Sequence, residues 1–139
     1  MSDDKGGPDK KGPLGIEMHA AHFPGRSAID SYGNGGFRFT EMSHQGSILC
    51  LPDSISRWDV ADYQDLTPEH FASVLAHDDI EVFLLGLGAD MRPLPAAIKS
   101  LFTEAKITID PMSTGAEVRT YNVLLSESRA VACGLIAVD

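Results

Sequence analysis

Residues 110–129 read DPMSTGAEVRTYNVLLSESR and thread the chain's densest set of polar groups through an apolar helical pattern. Arg119 and Asn122 are three residues apart, so they share one helix face. A guanidinium beside a carboxamide can hold an anion, pair with an acid or bind a strand edge. Thr114 and Glu117 have the S/T-x-x-E spacing of a capping box, in which each side chain satisfies an orphan backbone N–H at a helix start. That reading accounts for both residues without a site. Val118, Tyr121, Leu124 and Leu125 form the buried stripe of the same helix.

Other chemistry-bearing stretches are weaker. GLGAD, with Gly86 and Gly88, follows an apolar run as a dinucleotide-binding turn would. Position 91 is Met rather than the third glycine, and the next helix opens only at Pro95. The pyrophosphate then has no helix N-terminus to sit on, and a plain strand-exit turn is expected. His19 and His22 have H-x2-H spacing but no second ligand pair, so no metal is expected. His44 lies near Ser47, yet Gly46 and Ser47 head a strand and no GxSxG elbow occurs. Cys50 and Cys133 sit in the apolar runs SILCLP and AVACGLIAV and read as buried, unpaired thiols. No disulfide framework is implied, which fits a reducing, cytoplasmic setting.

The elements that must position these residues follow from patterning. Residues 1–14 carry three Lys, three Asp and almost nothing apolar, so they are expected to be a flexible tail. Residues 15–139 are long enough for one domain with its own core. Asn34-Gly35 between alternating runs predicts a hairpin, with strands over 28–32 and 37–42. SHQG predicts a second turn into a strand over 47–51 that Pro52 stops, and a short strand follows at 55–58. Tyr32, Phe37, Phe39 and Trp58 are expected to be core or sheet-face aromatics.

Helices are predicted from Thr67-Pro68-Glu69, from Pro95 and over 114–127. Buried strands are expected at IEVFLLG, 107–109 and 130–138. Hairpins first, then helices and strands in alternation, define an α+β layered domain. The net charge of −9 gives no footprint for nucleic acid or an anionic membrane surface. No stretch approaches 18 apolar residues and the N-terminus has no apolar leader, so neither membrane insertion nor export is expected.

YGNGGFRF, GSILCLP, Trp58, LLGLG and MSTGAEVRTYNVLLSESRAVACGLI, in that order, resemble the family of small Mth-type domains of unknown function. That family includes mitochondrial complex I assembly factor 3 and the adipogenesis-associated Mth-type domain proteins. The likeness covers roughly residues 16–138 and implies a compact three-layer β/β/α fold. Its pattern maps onto Gly46, Ser47, Pro52, Gly86, Gly88, Met112, Thr114, Gly115, Arg119, Tyr121, Asn122, Glu127 and Arg129. Where the family often has Ala-Cys, this chain has Glu117-Val118, so a thiol role there is absent. The resemblance implies a non-catalytic interaction or assembly factor with a protein partner, by analogy for a respiratory complex, and no cofactor. The residues keep an alternative open: a small-molecule or anion-binding domain, or an enzyme, using Arg119 and Asn122.

Overall fold

In a computed structural model of the chain, residues 22–23 and 25–139 are described, so the expected tail and His19 lie outside the described residues. Asn34 and Gly35 have φ of 51° and 79°, which is the double left-handed turn that Asn-Gly favours. They join β2 (Ser31–Gly33) to β3 (Gly36–Phe39). The next turn was not expected from sequence. Thr40 and Glu41 turn the chain at φ of 50° and 60°, and Met42–Gln45 forms β4 where a turn at SHQG was predicted. Strands β2, β3 and β4 make a small antiparallel sheet.

The larger sheet has six strands in the order β1 (His22–Phe23), β6 (Ser54–Arg57), β5 (Ile48–Leu51), β9 (Val131–Leu135), β7 (Val82–Gly86) and β8 (Thr108–Met112). Strand β7 runs parallel to both β8 and β9, and the remaining pairings are antiparallel. Its outer strand β8 carries Pro111. The helix expected at Thr67 begins instead as a 3₁₀ turn, Pro68–Phe71, in which His70 Nδ1 accepts from the Thr67 amide at 3.0 Å. Only α1 (Ala72–Leu75) is α-helical there. Helix α2 spans Ala96–Ala105, and α3 spans Thr114–Ser126.

The large sheet separates two cores. On one face Trp58, Phe71, Phe83 and Phe102 pack with Leu85 and the Ile98 of α2. On the other, Phe37 and Phe39 of the small sheet pack with Cys50, Leu84, Cys133 and the α3 residues Val118 and Tyr121. Alternation along β7 sends Phe83 and Leu85 one way and Leu84 the other. Helix α3 thus shares the small sheet's side, and the layers are β/β/α with α2 opposite. Both crossovers start from the same region: β7 to α2 to β8 on one face, then β8 to α3 to β9 on the other.

Candidate functional site

The polar segment expected to cap and line α3 is arranged differently from the prediction. Ser113, not Thr114, is the N-cap, and its hydroxyl accepts from the Ala116 amide at 3.4 Å. With the helix starting one residue earlier, Glu117 falls at the fourth helical position and cannot close a capping box. Thr114 is fully buried: its hydroxyl donates to Ile136 O at 2.7 Å and accepts from Gly88 N at 3.1 Å. It ties the turn after β7 to the chain leaving β9. Gly86 is required beside it, because a Cβ there would stand 3.0 Å from the Thr114 backbone and from Leu135.

Glu117 turns inward under α3 and has no exposed surface. Neither of its carboxyl oxygens meets a hydrogen-bond donor. Burial, and then the charge of Asp110 on β8, push its pKa up to about 8. The side chain therefore holds its proton at neutral pH and, as an acid, can donate to Asp110. Cys133 and Cys50 face each other across β9 and β5, and both are buried and free. Burial and the neighbouring Cys50 hold the Cys133 thiol well above its usual range. Tyr121 is likewise buried, with its phenol pushed upward by burial and the two thiols.

Several residues expected at a site are used internally. Asn122 clamps one residue of the segment before β2: its Nδ2 donates to Ile29 O and its Oδ1 accepts from Ile29 N, both at 2.9 Å. This is the strand-edge role that a carboxamide can fill. Ser47 is buried, donates to Val60 O at 2.6 Å and accepts from Ala137 N at 2.9 Å. His44 reaches the Ser47 carbonyl at 3.2 Å rather than the hydroxyl, so no Ser–His nucleophile is assembled. Gly46 precedes it at φ of 95°, where a side chain would be strained. Arg129 pairs with Glu81 at 3.0 Å, and Glu127 lies 4.0 Å from the same guanidinium. These exposed contacts hold the chain between α3 and β9.

What the structure brings together is a cleft of about 740 Å³ at the carboxyl ends of the parallel strands. Leu87, Gly88, Ala89 and Asp90 line it after β7, and Ser113, Gly115, Ala116 and Arg119 after β8. Residues 136–139 form its floor after β9. Tyr32 forms one wall and meets Gly115 so closely that a Cβ there would strike its hydroxyl. Arg92 lies over the Tyr63 ring, 5.8 Å from its centroid, and Tyr63 donates to Pro93 O at 2.5 Å. Arg119 is exposed and has no ion pair or hydrogen bond among the described residues.

Of the predicted site residues, Gly88, Gly115 and Arg119 therefore reach one cleft. Arg92, Asp62 and Tyr32 join them from distant parts of the chain, and sequence reading did not single out their polar groups. Glu117 was legible in principle, since it lies four residues before Tyr121 on the buried stripe. Among the described residues no group of three or more His, Cys, Asp or Glu side chains could hold a metal ion.

Residues 29–136 match the family model described as a protein of unknown function (DUF498/DUF598). The chain belongs to this family. An uncharacterized Rhodobacter capsulatus protein is 33% identical to this DUF498/DUF598 member over 114 residues, covering 82% of this chain and 87% of that one. A mouse NADH dehydrogenase [ubiquinone] 1 alpha subcomplex assembly factor 3 is 27% identical over 122 residues, covering 87% of this chain. The chain spans 66% of the mouse relative's length.

Among solved structures, a crystal structure of an outer membrane protein from Bartonella henselae is 52% identical, with a TM-score of 0.81. It covers 84% of this chain and 99% of that one. A Mth938-like domain from Bordetella pertussis shares the fold at a TM-score of 0.66 and 22% identity, covering 79% of this chain and 85% of that one. The Mth-type resemblance seen in the sequence is thus a family relation. Among the described residues no helix is long and apolar enough to cross a membrane.

Proposed function

We propose that this chain is a non-catalytic interaction protein that assists assembly of a multi-subunit complex, working from the cytoplasm. The similarity to assembly factors of NADH dehydrogenase over 87% of the chain carries this reading. The geometry supports it: Ser47, Thr114 and Asn122, the side chains best suited to chemistry, are each bonded twice to the chain's own backbone or structure. What remains outward is a surface. Gly115, Arg119 and Val123 recur every fourth residue and form the outer stripe of α3. Val123 is 55% exposed and Tyr32, beside Gly115, is 42% exposed.

An apolar contact flanked by a guanidinium suits a protein partner that offers a hydrophobic side chain and a carboxylate. Affinity capture from a membrane extract tests the reading. The tagged chain should retain a discrete set of subunits of one complex, and Val123→Asp should release it. Recovery of no discrete set by the native chain would remove the proposal.

A further inference from the structure

The two crossovers give the cleft a significance of its own. The chain leaving β7 enters α2 on one face of the sheet, whereas the chain leaving the adjacent β8 enters α3 on the other. Neighbouring parallel strands whose exits diverge in this way open a crevice at their carboxyl ends, which is where open α/β sheets receive ligands. The 740 Å³ cleft lies there, within the range of roughly 300–1,000 Å³ that small-molecule sites occupy.

Its chemistry is selective. Two guanidinium groups, Arg92 and Arg119, border the cleft of a chain whose net charge is −9. Arg119 has no acid partner among the described residues, and Arg92 is positioned by the Tyr63 ring rather than by a carboxylate. Among the first amides of α3, those of Thr114, Ala116 and Glu117 already have acceptors within the chain, and Gly115 lies on the cleft wall. Small residues at Gly88, Ala89 and Ala116 let a ligand approach the main chain closely. Asp62, Asp90 and Asp139 also line the cleft and offer acceptors for hydroxyl groups.

We infer that this cleft binds a small hydroxylated organic oxyanion, a carboxylate or a phosphate ester, with its charged end between Arg92 and Arg119. Its hydroxyl groups face Asp62 and Asp90. A bare polyanion fits less well, because the carboxylates of Asp62, Asp90 and Asp139 would repel it. The cleft shares Gly115 and Arg119 with the outer stripe of α3, and Val123 belongs to the stripe alone, so that residue tells the two readings apart.

Titration of the ¹⁵N-labelled full chain with citrate and with AMP, followed by amide NMR, tests it. At least one probe should produce saturable shifts at Gly88 and Gly115, and inorganic phosphate should bind more weakly than that probe. Saturation by citrate alone identifies a carboxylate ligand class, and saturation by AMP alone a phosphate ester. The paired substitutions Arg92→Ala and Arg119→Ala should weaken binding at least tenfold while amides of the two cores keep their positions. Val123→Ser, which adds no charge beside Arg119, should leave the affinity unchanged, which separates loss of the ligand from loss of a protein partner. Absence of saturable shifts with both probes at millimolar concentration, or undiminished binding by the doubly substituted chain, overturns the inference.

Discussion

One sheet supports two cores of opposite character. Against α2, Phe71 meets Trp58, Phe83 and Phe102 edge-on at 5.4–5.9 Å between ring centroids, and Phe83 stacks on Phe102 at 5.3 Å. That core contains no titratable side chain among its buried members. Against α3, the same sheet buries Cys50, Cys133, Tyr121 and Glu117. The aromatic side draws its stability from the packing of rings and aliphatic side chains. The α3 side holds polar groups whose state depends on the solution, and it is also the side whose helix forms the cleft.

The largest expected effect is on the aromatic side. Phe71 touches three rings, so Phe71→Ala should destabilise the chain by about 3–5 kcal/mol in denaturant unfolding. A loss below about 1 kcal/mol would erase the distinction between the cores. The next effect belongs to Glu117, whose pKa in the folded chain is raised to about 8 from an ordinary 4.5. Below pH 4.5 the acid is protonated in both states and its contribution is fully present. As pH rises towards 8 the unfolded chain releases the proton while the folded chain keeps it, so stability falls. The slope approaches about 1.4 kcal/mol per pH unit and levels off above the folded value. Glu117→Gln should flatten this decline relative to the native chain, and unfolding measured at several pH values between 5 and 9 checks it. A native chain whose pH profile matches that of Glu117→Gln would show the carboxyl to be ionised without penalty.

Thr114 comes third. Thr114→Val keeps the shape but strands the buried Ile136 carbonyl and the Gly88 amide, for a loss of roughly 1–3 kcal/mol. Such a loss should coincide with displaced NMR signals around the cleft floor. A neutral outcome would mean that ordered water replaces the hydroxyl. The smallest effect is expected at Arg119, where Arg119→Ala should change stability by less than about 0.5 kcal/mol because the group is exposed and unpaired. A larger loss would place this guanidinium in the architecture rather than on a binding surface.

How far the sequence reveals these arrangements depends on the range of the interactions. The Asn34-Gly35 hairpin was legible because its turn conformation is set by two adjacent residues. The turn at Thr40-Glu41 was not, because neither residue favours a positive φ and the pairing of β3 with β4 imposes it. Register across the sheet brought Cys50 opposite Cys133, a separation in sequence that no local pattern encodes. The capping-box spacing at Thr114 and Glu117 was real as a pattern, but Ser113 begins the helix one residue sooner and long-range bonds to Ile136 and Gly88 claim Thr114. Arg119 was visible as an unusual polar choice, whereas Arg92 and Asp62 gain meaning only from the loops that the topology gathers at one edge.

The outer strand β8 of the large sheet carries Pro111 one residue before its end. A proline offers no N–H for a neighbouring chain to bond. Strand addition, the least selective way for one chain to join another, is therefore discouraged at the β8 margin of this sheet. Copies of the protein should not zip together along β8. A companion that meets this margin must be recognised by side chains, one contact at a time, which makes recognition there open to tuning by single substitutions.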